Sequence, residues 1–445
     1  CRFENHPDKP VRENHQHVKK ICISIGMSMA CLFAGKPSYA FSILTHEAII
    51  DACWERSMVP VLRARFPKIT DEELKKAHAY AYGGSIAPDM GYFPLGNVFY
   101  TNLVHYVRSG DFVTELLNDS RDVDEYAFAL GFLSHYVTDK YGHSLATNKC
   151  VPIVYPEEKA KYGNTVTYAE DHLSHTRMEF GFDVLQTVEG NYASAAYHNF
   201  IGFQVSRGLL ERAFRKIYGL DINDLFGNFP LSVMSFRLSF KKLFPTLTNA
   251  AWAIKQQNQM LGSGKLETSH PHLEGEMKKA DKEDHHSKAG GKPGIAAHLI
   301  SFLIRVLPKV GPLRALKFKD PGPAAEKLFV RSFDTILVEY RIELNRCHSG
   351  HVELPNIDYD TGNLTAPGEY PLADKNYDML VIRLKDQQFD QVNDSLRRNI
   401  IAFYGHRDKP HDPRDESHRE MNVDKALARL AEPAHLSVRS SMDTK

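Results

Sequence analysis

Residues 126–137, "YAFALGFLSHYV", contain one histidine and no acidic or other basic side chain, and the chain then continues so that His135, Asp139 and His143 fall at intervals of four. A stretch this apolar belongs in the middle of a core. An interval of four on a helix turns each residue only about 40° from the last, so the three side chains form one stripe on one face. The spacing therefore predicts a buried helix carrying two imidazoles and a carboxylate in line. An unpaired carboxylate there is costly; the remedies are a cationic partner, dense hydrogen bonding or a metal ion. No lysine or arginine enters before Lys140. Taken alone, the triplet fits a structural trio, with Asp139 accepting from both histidines, or a metal site.

Helical periodicity governs most of the chain from residue 41 to about 260, and strand-like alternation is scarce. Thr70 and Glu73 predict a capping box opening the second helix, and Gly83-Gly84 is expected to break it. The expectation is an all-α fold. Residues 262–294 are polar, glycine-rich and aperiodic, and read as a flexible linker. Residues 295–405 read as a helical extension. Within it, 295–319 is basic and apolar, but Pro308 and Pro312 interrupt it, which favours packing against the preceding domain over lying on a membrane. Residues 406–445 read as a disordered, charged tail.

Lysine plus arginine and aspartate plus glutamate both number 55. That balance gives no electrostatic case for a stable nucleic-acid partner. The six cysteines show no CxxC pairs or regular spacing, so a disulfide framework is not expected. Residues 1–40 read as a signal peptide with a polar prefix. Lys19 and Lys20 precede the apolar "ICISIGMSMACLFAG", and "SYA" ending at Ala40 fits a cleavage site. A secreted or periplasmic protein starting at Phe41 is the expectation.

Five further side chains join the stripe: His46, Asp89 in "GGSIAPDMGYF", His105 in "NLVHYV", and His175 with Glu179 in "DHLSHTRMEFGFD". Zinc sites draw on few ligands of this kind, so a set this large suits more than one ion. The order His, Asp, His, then HxxxD with a following His, then HxxxE resembles the zinc-dependent phospholipase C family. That family includes bacterial phosphatidylcholine-hydrolysing enzymes and the amino-terminal domain of the glycosylphosphatidylinositol-specific phospholipase D. The likeness extends more distantly to the S1/P1 nucleases, and it covers roughly residues 41 to 250.

The resemblance implies a phospholipase C/P1 nuclease-like multi-helix domain over residues 41–261 and three zinc ions. One would be held by Asp89, His105, His135 and Asp139; a second by His143, His175 and Glu179. The third would take His46, Asp139 and the amino group and carbonyl of Phe41. Asp89 is the implied catalytic residue, orienting or deprotonating a water. The implied activity is phosphodiester hydrolysis on a phospholipid at a membrane surface. A zinc nuclease or 3'-nucleotidase, or an inactive zinc-stabilised binding protein, are the alternatives. The short gap between Asp139 and His143 is similar to the phospholipase D branch, and Phe41 stands where the family has tryptophan. The HxxxE pair favours the phospholipases, because the nucleases usually carry aspartate there; the short gap from Phe41 to His46 is nuclease-like. His172 has no acid four residues on and ranks below His175. His78, Cys347, His348, His351 and the turn "DYDTGN" read as ordinary helix and loop residues.

Overall fold

The computed structural model describes residues 43–188, 202–239, 318–350, 352–405 and 417–431. The expected signal peptide, Phe41, the linker and nearly all of 295–319 lie outside these residues, as does His351. The described residues form helices α1 (Ile43–Cys53), α2 (Val59–Arg65), α3 (Asp71–Ile86), α4 (Val98–Tyr106), α5 (Ser109–Asn118), α6 (Val123–Gly142), α7 (Asn148–Val154) and α8 (Pro156–Tyr162). They continue with α9 (His172–Val188), α10 (Arg207–Tyr218), α11 (Ile222–Phe226), α12 (Phe229–Leu238), α13 (Gly322–His348), α14 (Pro371–Asp386), α15 (Asp394–Gly405) and α16 (Ser417–Ala431). Among the described residues the only β pairing is an isolated antiparallel bridge between Ile357 and Leu364, so the fold is all-α. No described helix is long and apolar enough to cross a membrane.

Local chemistry sets the helix starts. Thr70 and Glu73 close the capping box on α3, Asp122 caps α6 through the Glu125 amide, and Asn97 caps α4. The apolar run does become the central helix: every residue of α6 from 126 to 139 is buried. Its neighbour α3 runs unbroken through Gly83-Gly84, against the sequence expectation. A β-carbon on Gly84 would stand 2.0 Å from the Phe128 carbonyl oxygen, and one on Gly131 of α6 would stand 2.0 Å from that of Ala81. The glycines let two backbones touch, and that packing offsets a helix-propensity cost of about 1 kcal/mol each.

The chain beyond residue 318 joins the same core. On α13, Tyr340 donates to the Leu130 carbonyl of α6 at 2.9 Å, and Phe329 stacks on Phe182 of α9 with ring centroids 4.5 Å apart. Arg108, buried and in the left-handed backbone region, donates to Asp111, to the Ile217 carbonyl and to Ser395, tying α5 and α10 to α15. The tail expectation needs correcting over part of its length. Residues 417–431 form α16, which packs on α14 and buries Val423, Ala426 and Leu430, an apolar stripe that the charge of the tail obscured.

Candidate metal centre

Six elements converge at one point of this core. α1 supplies His46, a short 3-10 turn (Ala87–Tyr92) supplies Asp89, and α4 supplies His105. α6 supplies His135 and Asp139, His143 opens the π-helical turn (His143–Thr147) that follows it, and α9 supplies His175 and Glu179. Side chains of seven of the eight are 6 % exposed or less, and His143 is 12 % exposed. With the exception of Phe41, the structure brings together the whole set singled out in the sequence.

The geometry asks for cations. The Nδ1 atoms of His105 and His135 lie 2.8 Å from the carbonyls of Thr101 and Ser85. A carbonyl can only accept, so both Nδ1 atoms carry the hydrogen and the neutral rings present bare Nε2 lone pairs. Those two Nε2 atoms face each other at 3.3 Å, and both face Asp139 Oδ2, at 3.5 and 3.0 Å. His105 Nε2 is also 3.3 Å from Asp89 Oδ1. Lone pairs aimed at lone pairs and carboxylates need a positive charge between them.

The spacings suit a small tetrahedral ion such as zinc. A tetrahedron with bonds of about 2.0–2.1 Å has edges of roughly 3.3–3.4 Å. The contacts just given cluster at that length, and so do His46 Nε2 to Asp139 Oδ1 at 3.3 Å and His175 Nε2 to Glu179 Oε1 at 3.2 Å. His143 Nε2 approaches Glu179 Oε1 at 2.9 Å. Three groups could each hold an ion, the first two sharing His135: His46, Asp89 and His135; His105, His135 and Asp139; and His143, His175 and Glu179. Asp139 turns one oxygen to His105 and His135 and the other to His46. Asp89 Oδ1 and both ring nitrogens of His175 are buried without a well-aligned hydrogen bond, as a ligand set without its ion should be.

The close pairs shift the protonation of the cluster. Burial opposes charge on His105, but hydrogen bonds to Asp139 and Asp89 outweigh it and carry its pKa up to about 9. Burial holds neighbouring His135 below its ordinary value, and the stacked His46 ring adds to the effect. Burial would raise Asp139 and Glu179, but the surrounding histidines hold both below the usual carboxylate range.

His172 is exposed at the start of α9, while His175 faces the cluster. His78 is stacked between Trp54 and Tyr82, with Nε2 3.3 Å from Asp51, away from the centre. Cys347 is buried and His348 exposed at the end of α13. The turn "DYDTGN" is the misjudged element. Its Asp360 lines the same cleft, 3.3 Å from His143 Nδ1, and the Tyr359 ring packs on His105 with centroids 4.8 Å apart. Asp183 was also missed. It accepts from the amides of Leu44 and Thr45 and the Thr45 hydroxyl, docking the start of α1 beside His46, and burial pushes its carboxyl up to about 7. A signal existed: His175, Glu179 and Asp183 repeat the four-residue ladder.

The cleft over the cluster has a volume of about 350 Å³ including its open mouth, and Tyr92, Tyr106 and Tyr168 wall it. The helical core gathers imidazoles and carboxylates into groups that could hold metal ions under a cleft, a donor set of the kind used in metal-dependent hydrolysis. The family model for zinc dependent phospholipase C matches residues 45–227, so this part of the chain is similar to that family. No curated protein and no solved structure gives a match.

Proposed function

We propose that the protein is an exported phosphodiesterase that hydrolyses phospholipid head groups in the manner of a phospholipase C. The observation that carries this reading is the set of three candidate ligand groups at the floor of a cleft, with Asp139 turning one oxygen to His46 and the other to His105 and His135. Asp89, His105, His135 and Asp139 would hold one zinc, and His143, His175 and Glu179 a second. His46 and Asp139, with the terminal amine and carbonyl of Phe41 once residues 1–40 are removed, would hold a third. Zinc bound there would lower the pKa of a water and neutralise charge on a phosphoryl group. Asp89, buried beside His105, would orient the attacking water or take its proton. Burial keeps the hydroxyls of Tyr92 and Tyr168 protonated, so they can donate to an anionic phosphate without repelling it. Their rings narrow the cleft and exclude bulk water.

The basic-then-apolar segment ending at Ala40 supports export, to the medium or a periplasm, and a membrane surface as the place of action. The test is to assay the purified, zinc-loaded protein from Phe41 onward against phosphatidylcholine, phosphatidylinositol and single-stranded DNA in parallel. Phosphomonoester release from a lipid is expected. Turnover of DNA alone would replace the lipid reading with the nuclease one, and no turnover at all would leave a zinc-stabilised binding protein.

A further inference from the structure

Each histidine at the centre has a second ring nitrogen, and what that nitrogen leans on decides the tautomer presented to a metal. For His105 and His135 the support is a backbone carbonyl from α4 or α3. For His143 it is Asp360, a side chain far outside the residues matched by the family. His143 Nε2 faces Glu179 at 2.9 Å, and Nδ1, at the opposite edge of the ring, lies 3.3 Å from Asp360 Oδ1. The alignment of that second contact falls short of a full hydrogen bond.

Asp360 is itself held on every side. Tyr106 and Tyr370 both donate to its Oδ2, and Asn148 donates to its backbone carbonyl at 2.6 Å. The side chain is buried, and its free oxygen points at His143 Nδ1. A carboxylate so enclosed has no room to swing into the ligand array, and with Oδ2 occupied it has one oxygen to offer. The Nδ1–H of a neutral imidazole is the donor that oxygen fits.

We propose that Asp360 is a positioning residue of the metal centre, accepting from His143 Nδ1–H so that the Nε2 lone pair points at the ion shared with His175 and Glu179. The proposal rests on the zinc reading above. It makes residues 357–370 part of the metal site, although they lie outside the matched domain.

The test measures zinc, not turnover. Zinc affinity is followed by competition with a chromophoric chelator for wild type, Asp360→Asn, Asp360→Ala, His143→Ala and the Asp360→Asn/His143→Ala double variant, with circular dichroism to verify folding. Asp360→Ala should weaken one zinc by about 10- to 100-fold and leave the others in place. Asp360→Asn should fall between, because an amide oxygen still accepts from Nδ1–H, and it carries the test if the alanine variant fails to fold. In the His143→Ala background, Asp360→Asn should change zinc affinity no further. A folded Asp360 variant that keeps wild-type affinity for every zinc, or an Asp360→Asn effect that persists without His143, would overturn the assignment. A wild-type chain that binds no zinc would overturn the metal reading itself, and this inference with it.

Discussion

The two halves of the metal centre are braced in different ways. Around His105 and His135 the supports are local: Thr101 lies one turn before His105 on α4, and Ser85 lies on the helix packed against α6. Around His143 the support comes from residues 357–370, a turn-rich segment brought in by α13 and α14 and tied down by two tyrosines. The first kind of bracing comes with the helices and needs no further chain. The second depends on a distant part of the sequence docking correctly, so the half of the site it supports should be more sensitive to changes in that region. On the proposed reading the candidate ligands would fix which ions can bind, and the docked segment how well one of the sites is formed.

The sharpest break is Asp139→Asn, which strikes the point where the groups meet. Asparagine keeps the shape but removes the charge that faces His46, His105 and His135. Zinc content should fall from about three per chain to about one, the survivor held by His143, His175 and Glu179, and hydrolysis should fall by more than about 100-fold. Elemental analysis beside a turnover assay reads both. Retention of full zinc would mean that Asp139 bridges nothing.

A break from the other region is Phe329→Ala on α13. Phe329 stacks on Phe182, one turn from Glu179 on α9, and removing a buried aromatic ring of this kind costs about 3–5 kcal/mol. Chemical denaturation should show that loss in the midpoint. If α13 is part of the same core as the ligand helices, zinc should be released in the same transition. Two separated transitions, with zinc leaving only in the second, would show the segments to be independent.

Which parts of this were legible in the sequence follows from the range of the forces involved. Five of the eight candidate ligands were visible because His135-Asp139-His143 and His175-Glu179 obey helical spacing within one segment, His46, Asp89 and His105 through their order in the family resemblance, and the apolar run at 126–137 announced the central helix. Gly83-Gly84 misled because propensity reports the cost of glycine in a helix and says nothing of the backbone of α6 that only glycine lets approach. Asp360 was hidden for the same reason. Nothing near "DYDTGN" in the chain says that Tyr106 and His143, more than two hundred residues earlier, wait beside it. Asp183 lay on a readable ladder, but its partners, Leu44 and Thr45, are equally distant in sequence.

Titration offers a subtler comparison, between the centre filled with protons and the centre filled with zinc. In the zinc-free protein His105 has a folded pKa of about 9 against an ordinary value of 6.5. A raised pKa contributes stability in full below the unfolded value, and that contribution is lost as pH rises through about 9. Zinc competes with those protons and needs neutral imidazoles, so its contribution grows over the same window. Thermal melts should therefore diverge between about pH 6.5 and 9, the zinc-free midpoint falling while the midpoint at fixed free zinc holds or rises. Parallel curves would show that His105 does not exchange a proton for metal.

The smallest expected effect tests whether the distant brace is shared between its two tyrosines. Tyr370 and Tyr106 both donate to Asp360 Oδ2, and the Tyr370 hydroxyl also accepts from the Ala169 amide at 3.1 Å. Tyr370→Phe keeps the ring that packs on Tyr106 and deletes only the hydroxyl. One buried hydrogen bond to a charged group contributes about 1.5–3 kcal/mol, but Tyr106 still satisfies Oδ2, so the net loss should sit near the bottom of that range. The Asp360 carboxylate would remain facing His143 with slightly more freedom. Zinc affinity should then drop only a few-fold and at a single ion, the one held with His175 and Glu179. Isothermal titration of zinc into the metal-free variant resolves a change of that size. An equal weakening at every ion would indicate that Tyr370 acts on the packing of the whole cleft, and the distinction between a locally braced half and a remotely braced half would fail.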